Sequence, residues 1–291
     1  MRLTFLGSGG GRFATISQKR MTGGFRIDNY GGCNYHIDPG PGALIRSYQF
    51  GFNPTNLDGI FISHTHTDHY NDAEILIEAM TRGMTRKKGH IFGSESVCNG
   101  YEQWGPAISN YHKSNSKILA LKPGKVYKNK NLIIRGSKTK HGDPTGVGFQ
   151  MRADNINISY TSDTQYFKNL HLYHKNADIL IASVLRPKGN SIRGHMCSSD
   201  FIKLLNEVKP KLAFITHFGF KMIDENPVKE AKWISKETGV KTIAALDGLS
   251  VIINEKSIKD SKYNVLKSKK HYADIYTSDV EDKNSYLGIT K

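Results

Sequence analysis

Cysteine is scarce. The three residues, Cys33, Cys98 and Cys197, are odd in number and scattered. They offer no disulfide framework and no structural-zinc spacing, and they predict a reducing, cytoplasmic setting. No apolar run approaches the roughly 18 residues needed to span a bilayer, so no membrane partner is expected. The opening Met1-Arg2-Leu3-Thr4-Phe5-Leu6-Gly7 carries too short an apolar run for a signal peptide. Disorder is excluded by an apolar content of 38%, and 291 residues are ample for a buried core. The glycine-rich Gly7-Ser8-Gly9-Gly10-Gly11 lacks both the Walker lysine and the dinucleotide fingerprint. Those glycines read as close backbone approach or left-handed turns.

Acids are also short. Lys and Arg number 41 against 26 Asp and Glu, a formal net charge of +15. From Gly83 to Lys140 there are twelve Lys/Arg and two acids, Glu95 and Glu102, a net of +10. This block fits a surface facing an anionic substrate. It fits a solvated lysine-rich face, or lysines blunting sheet edges, equally well.

What is present in concentration is histidine. Ile60-Phe61-Ile62 reads as a buried strand that stops at Ser63 and opens into His64-Thr65-His66-Thr67-Asp68-His69. Ala73 to Met80 follows with helical spacing. Imidazoles and a carboxylate gathered on one strand–helix turn are a ligand set for zinc, with manganese or iron also compatible. A lone histidine would more often be a packed core residue; three with an aspartate in six positions are not.

The rest of the chain alternates strands and helices. Residues 2–6, Thr22–Ile27 and Cys33–Ile37 read as strands, the last ending in Asp38-Pro39-Gly40-Pro41-Gly42. His36 faces the other side of that strand and reads as structural. Ala43–Phe50 reads as a helix, and Ser96–Ile108 as a short helix containing Trp104. A basic knot, Arg82 with Arg86-Lys87-Lys88, follows the helix after the histidine cluster. Residues 117–135 read as a lysine-rich meander. His141 leaves a strand into a Gly/Pro turn, Asp163 stands at another strand end, and His217 follows an apolar strand and Thr216.

The HxHxDH string resembles the signature of the metallo-β-lactamase superfamily, and the match extends over about residues 2–253. The resemblance implies an α/β (α+β) fold, a four-layer αββα sandwich, which the twofold recurrence of strand and helix also fits. It implies a hydrolase domain at 1–253 and a peripheral extension at 254–291. It implies two divalent metal ions, zinc first, with manganese or iron as alternatives. His64, His66 and His141 would hold one, Asp68, His69 and His217 the other, and Asp163 would bridge them. Asp38 would steady the metal loop from behind. A surface helix cap is the alternative for Asp163.

The order Asp163, then Gly194-His195-Met196-Cys197-Ser198 before a helix, then Thr216-His217-Phe218 resembles the phosphodiesterase branch, which includes RNase Z and cyclic-phosphate diesterases. There the extra histidine sits by the transferred phosphate. Asp68 and His195 are therefore the catalytic candidates, His195 as phosphate contact and general acid, with a structural histidine at a helix start as the alternative. Arg82, Arg86 and Lys87 are candidate substrate contacts. The expected nucleophile is a hydroxide shared by the two ions, attacking a phosphodiester of RNA or of a cyclic nucleotide. A homodimer is a candidate assembly. The chain departs from RNase Z at Tyr70-Asn71-Asp72, where that family has a glycine-rich segment. It departs again at Gly219-Phe220-Lys221, and it has no long Gly/Pro-rich arm for clamping tRNA. Alternatives on the same metals are a lactonase or thioesterase and an iron-dependent oxidoreductase; a non-catalytic nucleic-acid binder is the remaining class.

Overall fold

The apolar runs become the strands of two stacked sheets in a computed structural model that describes residues 1–266. In chain order the first sheet takes β1 (Arg2–Phe5), β2 (Phe25–Tyr30), β3 (Cys33–Ile37), β4 (Gly59–Ile62), β5 (His90–Gly93) and β6 (Lys117–Ala120). The second takes β7 (Val126–Asn129), β8 (Leu132–Lys138), β9 (Val147–Ala153), β10 (Ile156–Tyr160) and β11 (Ile179–Arg186). The short β12 (Met196–Cys197) pairs with β11, and β13 (Leu212–Thr216) and β14 (Thr242–Ala244) complete that sheet. The chain then returns to the first sheet through β15 (Ser250–Ile252), beside β1, and β16 (Asn264–Leu266), beside β15.

Alternation along each strand decides the layering. In β4, Phe61 points inward and stacks on Phe92 at 4.3 Å, while Ile60 and Ile62 point out. Across the interior Phe61 meets Phe149 at 4.8 Å, Phe5 meets Phe214 at 5.3 Å and Phe25 meets Tyr160 edge-on at 5.2 Å. Burying each such ring stabilises the fold by about 1.5–3 kcal/mol. Outside the first sheet, Leu76, Ile77 and Met80 of the helix Ala73–Met80 cover Ile60 and Ile62. Outside the second, helices Ser198–Val208 and Pro227–Thr238 bring Phe201, Leu204, Leu205 and Ile234 onto Leu180, Ala182 and Ile215. Strands buried on both faces read as continuous apolar runs, which is why they were legible. The result is the four-layer αββα sandwich.

Two expectations shift. The helix at Ser96–Ile108 shrinks to a single turn, Glu95–Cys98. Gly100, Glu102 and Gly105 adopt φ of 84°, 51° and 69°, which no helix accommodates. The first part of the expected extension joins the sandwich: β16 pairs in register with β15 across Ile252 and Asn264. The remainder, 267–291, lies outside the described residues. Among the described residues no helix is long and apolar enough to cross a membrane.

One end of the sandwich matters for function. The carboxyl ends of β3, β4, β8, β10, β11 and β13 all emerge there. The two sheets are tied at that end by Val147 N–H donating to the Ser63 carbonyl at 3.0 Å.

Candidate metal centre

β4 stops at Ser63 because Asp38, leaving β3, takes over its hydrogen bonds. Asp38 Oδ1 accepts from Ser63 N–H at 2.7 Å, and Oδ2 accepts from Ser63 Oγ and from the Tyr160 hydroxyl, both at 2.8 Å. A short helix, Thr67–Tyr70, then aims Asp68 and His69 back at the strand ends. His141 follows β8, Asp163 follows β10 and His217 follows β13. Three non-glycine residues at these exits, Asp38, Ser162 and His217, hold φ of 50°, 56° and 64°. Left-handed backbone costs about 1–3 kcal/mol per residue and persists where surrounding structure enforces it, typically at functional sites.

The side chains converge in two groups. His64 Nε2 and His141 Nε2 each lie 2.9 Å from His66 Nδ1. His217 Nε2 lies 3.2 Å from His69 Nε2 and 3.3 Å from Asp68 Oδ2. Asp163 Oδ2 stands between the groups, 3.1 Å from His217 Nε2, 3.3 Å from His69 Nε2 and 3.8 Å from His141 Nε2. His195 joins at the edge, with Nδ1 3.6 Å from Asp163 Oδ2 and its ring stacked on His217 at 5.6 Å. His64, His66 and His141 form one set that could hold an ion; Asp68, His69 and His217 form another.

Tautomers test whether ions fit. His69 Nδ1 donates to Asp38 at 2.9 Å and His141 Nδ1 donates to the Gly194 carbonyl at 2.8 Å. Ser63 Oγ has spent its proton on Asp38, so it accepts from His64 Nδ1 at 2.9 Å. The ε nitrogens of His64 and His141 therefore turn lone pairs inward, while His69 Nε2, with Nδ1 committed to Asp38, faces the oxygens of Asp163 and Asp68. Such a gathering of imidazoles and carboxylates suits cations, and outer hydrogen bonds of this kind are what orient metal-binding histidines. Asp163 Oδ1 agrees: it is buried without a hydrogen-bond partner. The imidazole and carboxylate donors suit divalent ions.

Charge divides the two groups. Burial pushes His64 well below the usual histidine range and, with His141 beside it, lowers His66 to about 4. His69 goes the other way. Burial opposes its charge, but Asp163, Asp68 and Asp38 together hold it well above the usual range. Asp163 and Asp68 stay ionised despite burial, Asp163 through His217 and His69, and Asp68 chiefly through His69. Burial lowers His195 to about 4.

Three features escaped the sequence reading. Asp143, buried two residues past His141, accepts from Thr65 N–H at 3.1 Å, Thr65 Oγ1 at 2.9 Å, Ser96 Oγ at 2.5 Å and Thr145 N–H at 2.9 Å. It buttresses the His64–His66 turn. Trp104, on the loop expected to be helical, lies 5.4 Å from the His66 ring. Asp247 fixes the glycine-rich loop through Ser8 N–H at 2.8 Å and Met21 N–H at 3.0 Å. That loop makes the close approach expected of it. Gly11 N–H donates to Asp68 Oδ2 at 3.0 Å, and a Cβ on Gly10 would stand 2.2 Å from the His217 ring.

Arg82, Arg86 and Lys87 are not brought to the cluster. They are exposed and lie between the helix Ala73–Met80 and the start of β5. His90 at that start pairs with Gly59, the end of β4 remote from the histidines. The helix carries the chain away from the site before the basic knot is reached.

The comparisons with known proteins agree with this geometry. The family model described as "Beta-lactamase superfamily domain" matches residues 33–218. An uncharacterized protein of Methanocaldococcus jannaschii is 42% identical over 271 residues, covering 92% of this chain and 99% of that one. Ribonuclease Z of Thermococcus kodakarensis is 24% identical, covering 72% of this chain and 83% of its own. Among solved structures, the metallo-beta-lactamase fold protein YhfI from Bacillus subtilis superposes with a TM-score of 0.69 at 21% identity. It covers 86% of this chain and 97% of its own. With the αββα layers and the histidine–aspartate cluster at one end, the chain belongs to the metallo-β-lactamase superfamily of hydrolases, in the branch that holds ribonuclease Z.

Proposed function

We propose that this chain is a dinuclear metal-dependent phosphodiesterase. The observation that carries the reading is the pair of ligand groups sharing one carboxylate, Asp163, with a further histidine, His195, at their edge. In this reading His64, His66 and His141 hold one ion, Asp68, His69 and His217 hold the other, and Asp163 bridges. Bound divalent ions, zinc first with manganese or iron as alternatives, supply Lewis acidity and a water acidic enough to attack at neutral pH. Asp38, through His69 and Ser63, fixes the tautomers behind both groups. Asp68, steadied by Gly11 N–H, orients the attacking water. His195 contacts the phosphate. It is neutral at pH 7, so it first meets the phosphoryl oxygens as an N–H donor. An anionic phosphate beside it raises its affinity for the proton that it passes to the leaving oxygen.

Ribonuclease Z among the relatives and the net positive charge support RNA or another nucleotide diester as substrate. The reading includes a cytoplasmic setting, from the cysteine usage, and a homodimer, to be measured by light scattering. The test is turnover of bis-p-nitrophenyl phosphate, cyclic nucleotides and RNA by zinc- or manganese-loaded protein. Absence of metal-dependent cleavage across the panel sinks the reading. His195→Ala should slow diester cleavage about 10²-fold or more with metal content unchanged. A lactonase or thioesterase on the same ions would hardly respond.

A further inference from the structure

The tryptophan loop beside the cluster has no role in the chemistry above. Tyr101 and Trp104 exchange backbone hydrogen bonds of 2.8 and 2.9 Å, closing a tight turn. Glu102 in that turn is left-handed at φ 51°, between Gly100 at 84° and Gly105 at 69°. Gly105 is pressed against the chain behind it: a Cβ there would stand 2.0 Å from the Ser96 carbonyl oxygen. Ser96 in turn donates through Oγ to Asp143, which holds Thr65 beside His66. Trp104 is thus registered to the metal loop through Gly105, Ser96, Asp143 and Thr65. One corner of its indole, Cη2, faces Gly142, and His66 meets it edge-on at 65°.

This is poor placement for a packing residue. Trp104 is half-exposed, and its immediate neighbours Tyr101, Glu102, Gln103 and Gly105 are exposed. His66 is the one aromatic ring it meets among the described residues, and its indole N–H has no partner there. A large π face and a free donor held beside a metal-binding group by a strained loop suit a flat heteroaromatic ligand.

We propose that Trp104 is the stacking platform for the nucleobase flanking the scissile phosphate, on the His66 side of the cluster. The inference rests on the phosphodiesterase reading and deepens it: the substrate class is nucleotide diesters, in preference to diesters without a base. Aromatic stacking tolerates every base, so the platform selects for a base without reading which one.

Two tryptophans, Trp104 and Trp233, make the test optical. Trp233 lies on the helix Pro227–Thr238, where Lys188 covers its ring. Trp233→Phe leaves Trp104 as the sole indole reporter. With metal-loaded protein, adenosine 5′-monophosphate should quench that emission saturably and ribose 5-phosphate should not. By calorimetry, Trp104→Ala should weaken adenosine 5′-monophosphate about tenfold and ribose 5-phosphate much less. Trp104→Phe, which keeps a smaller face, should fall between. Equal affinity for the two ligands in the parent protein, no saturable binding of the nucleotide, or equal losses for both ligands in Trp104→Ala overturns the platform. A parent protein that cleaves no phosphodiester overturns the functional reading instead, and the two failures are read in separate experiments.

Discussion

The two halves of the candidate metal centre are built from similar side chains and are electrostatically opposite. Around His64, His66 and His141, burial lowers the proton affinity of His64 and His66, and His66 lies half-buried beside Trp104. Around Asp68, His69 and His217 two carboxylates press on a protonated His69, and both histidines are buried. The supports differ as well. Asp143 and Thr65 hold the imidazole half; the glycine-rich loop holds the carboxylate half through Gly10 and Gly11. Asp163 Oδ2 lies within reach of both, 3.1 Å from His217 Nε2 and 3.8 Å from His141 Nε2.

Removing Asp163 should therefore have the largest effect. Asp163→Ala takes away the carboxylate near both halves and leaves His69, His217 and His141 without their shared neighbour. Losing an outer support of a metal ligand typically costs 10–100-fold. Losing this bridge should cost more than that in turnover, with bound metal falling from two ions toward one. Full metal content with near-parental turnover would show that the halves work independently.

The outer supports should separate the halves. Asp143→Ala should weaken the ion held by His64, His66 and His141 by about 10–100-fold and leave the other in place. Asp38→Ala should weaken both, because Asp38 bonds His69 directly and reaches His64 through Ser63. Two-step metal titrations, followed by calorimetry, read the difference. Equal losses at both steps in Asp143→Ala would erase the assignment of Asp143 to one half.

That Asp143 was passed over while His64 was not has a physical cause. Four ligands of the motif fall within six residues, and a local density of donors is visible in any sequence. Asp163 and His217 needed the pattern of strand then polar donor, and His141 a Gly/Pro turn after a strand, together with the family resemblance. Asp143 works through Thr65 and Ser96, which lie 78 and 47 residues away, and hydrogen bonds of that range leave no local trace. Trp104 was hidden by a helix assignment that Gly100 and Gly105 break. The basic knot misled in the opposite way. It follows the motif closely in sequence, but a helix of eight residues moves the chain about 12 Å along the sheet.

A glycine tests the carboxylate half from its backbone side. Gly10→Ala would place a Cβ 2.2 Å from the His217 ring, and Phe218 is locked to the same loop by Gly10 N–H donating at 3.2 Å. Overpacking of this kind costs about 1–3 kcal/mol. The loss should appear as weaker metal binding at the second half and a lower melting temperature, with the first half's affinity retained. An unchanged His217-dependent affinity would mean that the loop yields more easily than its bridge to Phe218 suggests.

The gentlest probe is pH, and its sign differs between the halves. In the metal-free chain His69 has a raised affinity for protons, held by Asp163, Asp68 and Asp38, so it is still protonated at pH 7. An ion entering that half must expel this proton. Its apparent affinity should then rise about tenfold per pH unit between pH 6 and 7. His66 is lowered to about 4 and His64 lies well below the usual range, so neither holds a proton in that window. Competition from protons on these two residues should stay nearly absent until the pH falls toward 4. Calorimetric titrations in buffers of different ionisation enthalpy would count the released protons, with more expected from the carboxylate half, where His69 must give one up, than from the imidazole half. Equal release from both would mean that the carboxylates act on the whole centre, and the division into a charged and a neutral half would fall with it.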